Sequence, residues 1–273
     1  MKMNTTHPFF AVLLVTSIIV GLALKLMLSP YSKSNTLKIY CAAALRPPLE
    51  NIAREFESRF DQHIEFNFGG SQTLLSNLET TGDGDLFIPA DDSYLQLAEQ
   101  RKLIQQIFPI AKMHAVILNS KDHPPIKNFA ELFDVKLKLA QANPDAAAIG
   151  NLTRNALSKI NRWGELKLHT EKYGSFHATV SEVANAVELG AADAGIVWDT
   201  VAFHYPKLKI SKLPELDKIQ GNVSIAILQS TRSAKLALKF AFFCKARDRG
   251  REEFRQNGFQ ITDDEVLPSQ LDR

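Results

Sequence analysis

Apolar residues recur along this chain with two different periods, which alternate from one segment to the next. Residues 37–41 form a short, mostly apolar run typical of a buried strand. After Pro47 and Pro48, apolar residues return at helical spacing, at 49, 52, 53, 56 and 60. Residues 64–68 alternate apolar and polar side chains, which predicts a second strand, and a helix follows from Ser71.

The same alternation continues to the C-terminal part of the chain. We predict further strands at 85–88, 114–118, 138–140, 194–198 and 223–228. We predict further helices after Asp91 or Asp92, after the capping boxes Asn128-x-x-Glu131 and Thr179-x-x-Glu182, from Ile149, and at 236–246. Residues 247–255 are expected to continue the last helix with a solvated face. Leu189 is expected to face inward and Gly190 to end its helix. This order indicates an α/β fold with mainly parallel sheets.

Residues 8–24 are almost wholly apolar, and Lys2 and Lys25 flank them. Two interpretations stay open: an uncleaved membrane anchor that reaches residue 28, or a secretion signal cleaved near 21–23. A buried core helix fits less well, because the polar linker 31–36 follows at once. Under either of these two main interpretations, residues 37–273 are expected to be exported.

Composition excludes several classes of protein. The net charge is +2 over 273 residues, with acids and bases mixed along the chain, so nucleic acid is not an expected partner. The seven histidines show no metal-ligand spacing, and no nucleophile, P-loop or dinucleotide motif is present. Cys41 and Cys244 are expected to be two separate buried thiols, although export would also permit a disulfide.

Four short segments end a strand or begin a helix: 42–45, 69–71, 148–150 and 179–181. A helix N-terminus offers unpaired backbone N–H groups and about half a positive charge, which suits an anion. Several such segments without a catalytic motif indicate a protein that holds an anion rather than transforms one.

Five segments together resemble the molybdate-binding proteins of ABC importers, which belong to the type II periplasmic binding proteins. They are YCAAAL at 40–45, FGGSQTL at 68–74, GDLFIPAD at 84–91, NPDAAAIG at 143–150 and ADAGIVW at 192–198. The resemblance covers about residues 37–261. It implies two α/β lobes, 37–112 plus 225–273 and 113–224, behind an N-terminal signal or anchor segment and linker at 1–36.

The resemblance also implies the ligand-binding residues. Ser71 keeps the hydroxyl of the family's second loop, and backbone N–H groups are expected from Ile149, Gly150 and Val180. Two positions depart from the family. Trp198 stands where a Tyr is usual, and Ala44 stands where a Ser is usual, so one hydroxyl is missing.

Arg46 is a possible additional ligand contact that would compensate for the missing hydroxyl. The alternative is a solvent-facing Arg beside a helix start.

The expected function is capture of a tetrahedral oxyanion, molybdate or tungstate first, for an ABC permease. We expect a monomer with no cofactor and no protein-ligated metal. Its location would be periplasmic or extracytoplasmic, with membrane attachment through residues 8–28 if the signal stays uncleaved. The alternatives are a sensor or accessory binding protein on the same fold and, with no catalytic constellation to support it, an enzyme.

Overall fold

The structure is a computed structural model that describes residues 36–262. Its ten strands are β1 (Thr36–Ala42), β2 (His63–Gly69), β3 (Leu86–Ile88), β4 (Ile104–Asn119), β5 (Leu139–Ala142), β6 (Ser175–His177), β7 (Ala194–Trp198), β8 (Lys209–Ser211), β9 (Gln220–Leu228) and β10 (Gln260–Ile261). Its α-helices are α1 (Arg46–Phe60), α2 (Ser71–Thr81), α3 (Ser93–Gln100), α4 (Ala148–Lys159), α5 (Trp163–Tyr173), α6 (Val180–Glu188), α7 (Asp199–Ala202), α8 (Ala234–Lys245) and α9 (Gly250–Gln256). The predicted segment at 8–24 lies outside the described residues.

The strands follow the order β2-β1-β3-β9-β4-β7-β5-β6, and β8 and β10 also pair with β4. The long strand β4 connects the two halves of this array. Its first part pairs with β9 from Ile104 to His114, and from Ala115 onward it pairs with β7. We call the half with β1, β2, β3, β9 and β10 lobe 1, and the half with β5 to β8 lobe 2.

Each lobe has a parallel centre. In lobe 1, β1 pairs in parallel with β2 and β3, and in lobe 2, β5 pairs in parallel with β6 and β7. In parallel strands the carboxyl ends meet at one edge, and the helix that follows each strand begins there. This arrangement brings the starts of several helices together. The two-lobed α/β architecture predicted from the sequence is confirmed, while the exact lobe boundaries given above stay a prediction.

Helices with a wide apolar face form where the sequence predicts them. α1 buries Leu49, Ile52, Ala53 and Phe56, and Phe56 packs edge-on against Phe240 of α8 with the ring centroids 5.1 Å apart. Both capping boxes are confirmed. The Thr179 hydroxyl accepts the N–H of Glu182, and the Asn128 side chain caps a short 3₁₀ helix at Phe129–Phe133.

The predicted cap of α3 is shared between two residues. Asp92 occupies the N-cap position without a side-chain capping bond, whereas Asp91 Oδ1 accepts the N–H of Ser93 at 3.0 Å. Cys41 and Cys244 are both free and buried, as expected. None of the helices in residues 36–262 combines the length and the apolar character that crossing a membrane requires.

Three sequence predictions need correction. Strand β4 begins at Ile104 instead of residue 114. The prediction missed its first part because that part is only half covered and its register with β9 shifts near Pro109. Leu189 is 82 % exposed, because α6 ends at Glu188 and Gly190 reverses the chain with φ of 72°. The segment 247–255 is not a solvated extension of α8, since α9 is a separate helix that fully buries Phe254.

Candidate functional site

Three helix starts and one 3₁₀ turn surround a small cavity between the lobes. Its lining comes from lobe 1 (Ala42, Ala43, Ala44, Gly69, Gly70, Ser71, Ala90) and from lobe 2 (Ala147, Ala148, Ile149, Thr179, Val180, Trp198). The cavity volume is about 10 Å³. That is about the room one buried water needs, and far below the roughly 300–1,000 Å³ of pockets for larger organic ligands. The cavity therefore excludes organic ligands of that size.

The residues at these helix starts carry backbone N–H groups and line the cavity. Helix geometry leaves the first amides of α4 and α6 without a partner inside the helix, and the same holds for the 3₁₀ turn at Ala43–Leu45. The N-cap positions of α2 and α4 are Gly70 and Ala147, whose side chains cannot cap. The site is thus a set of neutral donors, to which each helix dipole adds about half a positive charge.

Ser71 combines a buried position with a fixed orientation. Its side chain is 1 % exposed, and its Oγ accepts the backbone N–H of Ala90 at 3.0 Å. A hydroxyl that already accepts one hydrogen bond still has its own proton to donate. Ser71 is therefore placed to donate to an oxygen in the cavity.

Trp198 forms the wall of the cavity next to strand β9. It is 1 % exposed and ends β7, just before α7 begins. A Cβ built on Gly221 of β9 would stand 3.2 Å from the indole edge and 2.5 Å from the carbonyl oxygen of Ala90. The absence of a side chain at Gly221 thus leaves room for the large indole.

Arg46 is directed elsewhere in this structure. Its guanidinium stacks over the Phe68 ring at 3.9 Å from the centroid, and Nη1 lies 3.1 Å from Oε1 of Glu50. Arg46 is also not among the cavity-lining residues. A contact between Arg46 and the ligand stays a prediction, and it would require the guanidinium to leave both partners.

Five of the six residues predicted as ligand contacts line the one cavity: Ala44, Ser71, Ile149, Val180 and Trp198. Gly150 does not line it. A Cβ on Gly150 would lie 2.4 Å from the carbonyl oxygen of Ala142, so this glycine permits close packing of α4 on β5. Whether any of these residues contacts a ligand stays a prediction.

Sequence reasoning missed Ala90 as part of the wall. Its signal was available, because Ala90 follows a buried strand at the carboxyl edge of the sheet.

None of the described residues that line the cavity is charged. Two acidic residues, Asp91 and Asp92, follow the lining residue Ala90 in the sequence. Burial and the neighbouring Asp91 carboxylate raise the pKa of Asp92, although the Ser224 hydroxyl favours its charged form. Burial, helped by Asp91, also raises the pKa of Tyr94 to about 12. Within residues 36–262 no group of three or more His, Cys, Asp or Glu side chains is arranged to hold a metal ion.

A family model described as bacterial extracellular solute-binding protein matches residues 37–260. This chain belongs to that family. The match spans both lobes and the cavity between them, and the family serves as the extracytoplasmic binding component of ABC transporters.

Individual relatives support the same assignment. YvgL of Bacillus subtilis, described as a candidate ABC transporter substrate-binding lipoprotein, is 25 % identical over 257 residues, which are 92 % of this chain and 96 % of YvgL. The molybdate-binding protein ModA of Mycobacterium tuberculosis is 26 % identical over 234 residues, covering 84 % of this chain and 86 % of ModA.

The solved periplasmic molybdate-binding protein of Azotobacter vinelandii superposes with a TM-score of 0.68 at 19 % identity, over 85 % of this chain and all of that one. At that identity the superposition shows a common fold.

Proposed function

We propose that this solute-binding protein captures a tetrahedral oxyanion, molybdate or tungstate first, and delivers it to the permease of an ABC importer. The observation that carries the proposal is the meeting of helix starts from both lobes at one small cavity with no charged lining. Because the donors are neutral, a dianion is held by hydrogen bonds and helix dipoles rather than by a fixed cation. The name of the ModA relative supports the choice of molybdate.

The donor set also favours fully deprotonated anions. Ser71 Oγ already accepts a hydrogen bond from Ala90, and no carboxylate is among the lining residues. A protonated oxygen, such as the one on hydrogen phosphate, would find no strong acceptor there and would leave its O–H unpaired, which costs about 1–3 kcal/mol. We therefore expect molybdate, tungstate or sulfate to bind more tightly than phosphate at neutral pH.

Thermal unfolding with added anions tests the proposal. A ligand that binds only the folded protein stabilises it by about 2.7 kcal/mol when its free concentration is about 100 times the dissociation constant. Molybdate, tungstate, sulfate, phosphate and thiosulfate are compared at equal ionic strength, and calorimetric titration then ranks those that raise the melting temperature. The oxyanion proposal fails if none of the five raises it.

Attachment to the membrane through residues 8–28 and a monomeric state belong to the same proposal. An attached binding protein would stay close to the permease in the membrane and would not be released into solution. Membrane fractionation of the expressed chain, with and without residues 1–36, tests the attachment.

A further inference from the structure

The two lobes meet through main-chain atoms beside the cavity. The backbone N–H of Gln72, in the first turn of α2 in lobe 1, donates to the carbonyl oxygen of Ala146 in lobe 2 at 3.0 Å. The N–H of Thr73 points to the same oxygen at 3.5 Å. Amides that a helix start leaves without an internal partner are therefore capped by the opposite lobe.

The loop that presents this carbonyl is held in place by its own hydrogen bonds. The N–H groups of Ala146 and Ala147 donate to the carbonyl oxygen of Asn143 at 3.1 and 2.9 Å. The Asn143 side-chain oxygen accepts the N–H of Asp145 at 2.9 Å, and the backbone N–H of Asn143 donates to the carbonyl oxygen of His177 at 2.8 Å. The Ala146 oxygen is thus a rigid part of lobe 2.

Gly70 lies at a close contact between the two lobes. A Cβ on Gly70 would stand 2.4 Å from the oxygen of Ala146 and 2.8 Å from the oxygen of Ala178, both of which belong to lobe 2. Real Cβ atoms do not approach backbone atoms this closely, and neither oxygen is the end of a flexible side chain. The backbone of Gly70 is extended, with φ of −73° and ψ of 144°, so its conformation alone would admit any residue.

We infer that closure of the lobes is fixed by a main-chain clasp, formed by the amides of Gln72 and Thr73 with the Ala146 carbonyl, and that Gly70 is the residue whose missing side chain permits it. Gly70 is then a positioning residue that controls affinity through the closed state. The clasp also occupies two of the amides of α2, so this helix has the N–H and hydroxyl of Ser71 left for a ligand. The effect on anion affinity rests on the proposed function, whereas the clasp itself does not.

Glycine-to-alanine variants test the clasp, because the same change can be made where a methyl group does and does not meet the other lobe. Gly70→Ala should weaken anion binding by about tenfold or more, which corresponds to about 1.4 kcal/mol, because the added methyl group would overpack the contact between the lobes. Gly69→Ala should cost less, because its methyl group would meet only the Leu74 side chain, at 3.3 Å. Gly164→Ala is the control, since nothing lies within 4 Å of its added methyl group.

Hydrogen exchange supplies a measurement that needs no ligand. In the wild-type protein the amides of Gln72 and Thr73 should exchange slowly, and Gly70→Ala should speed their exchange while leaving the amides in the middle of α2 protected. Gln72→Pro removes the first clasp donor without adding a side chain at residue 70. Proline is tolerated in a first turn, as Pro47 and Pro48 are in α1. In this variant the Thr73 amide should exchange faster, and this readout is used in place of anion binding because a proline at residue 72 also restricts the backbone of Ser71.

The results separate the two proposals. If the wild-type protein binds none of the anions, the proposed function fails, and hydrogen exchange still decides about the clasp. If Gly70→Ala binds anions as tightly as Gly164→Ala, or if the Gln72 amide exchanges equally fast in both variants, the clasp is wrong and the oxyanion proposal stands on its own evidence.

Discussion

The Ser71 hydroxyl lies at the cavity. Its oxygen accepts the backbone N–H of Ala90, and its proton stays available for a ligand. Ser71→Ala should weaken anion binding by about 1.5–3 kcal/mol, because a hydrogen bond to a charged group is lost. The fold should persist, since the protein itself loses one hydrogen bond, the one from the Ala90 N–H to Ser71 Oγ. Calorimetric titration measures the change, and Ser76→Ala, on the exposed part of the same helix, is the matched control. An unchanged affinity would place Ser71 outside the site.

Ala44 and Arg46 give two competing accounts of the missing hydroxyl. If the site lacks one donor, Ala44→Ser should tighten binding by about 0.5–1.5 kcal/mol. If Arg46 leaves Phe68 and Glu50 to reach the anion, Arg46→Ala should cost more than Ser71→Ala, because a charge-assisted contact is lost. The stacked and paired position of Arg46 favours the first account. Titration of both variants with one anion separates them, and a large loss from Arg46→Ala without a gain from Ala44→Ser would reverse our choice.

Asp92 should make stability depend on pH. The pKa of Asp92 is higher in the folded protein than its usual value, so the folded state holds the proton over a pH interval in which the unfolded chain has released it. Stability contributed by this group is therefore lost as pH rises from the ordinary Asp range through the raised pKa. Asp92→Asn should raise the melting temperature at pH 7 and should flatten this part of the pH profile. The exposed Asp217→Asn is the control, and equal profiles for the two variants would contradict the assignment.

Helix α9 is the clearest case in which tertiary packing, and not the local sequence pattern, determines the burial of an element. Its charged residues predict a solvated face, yet Phe254 is fully buried against Phe259 with ring centroids 5.2 Å apart. Phe254→Ala should lower the free energy of unfolding by about 3–5 kcal/mol, as for other large core deletions. Arg255→Ala, the next residue and exposed, should change it little. Chemical denaturation measures both, and a small effect of Phe254→Ala would restore the solvated interpretation.

Helices were predicted correctly where the apolar spacing and the start signals in the sequence agreed with the burial seen in the structure. α1 and α6 each have a wide apolar face and a recognisable start, and both form where the pattern places them. α5 has no such face, because Leu168 is 68 % exposed and few of its residues are buried. The first part of β4 was missed for a different reason. Pairing with β9, more than 100 residues later in the chain, makes it a strand, and no local pattern records that pairing.

On the scale of the whole molecule, the site was predictable in its parts and not in its closure. The helix-start segments located Ala44, Ser71, Ile149 and Val180, because helix starts at the carboxyl edge of a parallel sheet are readable from a strand followed by a small residue. Trp198 was predicted only from the family resemblance. The contact between the Gln72 amide and the Ala146 carbonyl was not readable. It depends on the angle between two lobes and involves only main-chain atoms, which every residue carries.

The place of Trp198 has an optical consequence. The chain has two tryptophans, Trp163 on α5 and Trp198 between the cavity and strand β9. A buried indole emits at shorter wavelength than one exposed to water, and Trp198 is 1 % exposed. Its emission should therefore respond when an anion binds beside it. With Trp163 replaced by Phe, the protein should report occupancy of its own cavity by fluorescence, without any added dye. Trp198 would thus report ligand binding through the intrinsic fluorescence of the protein.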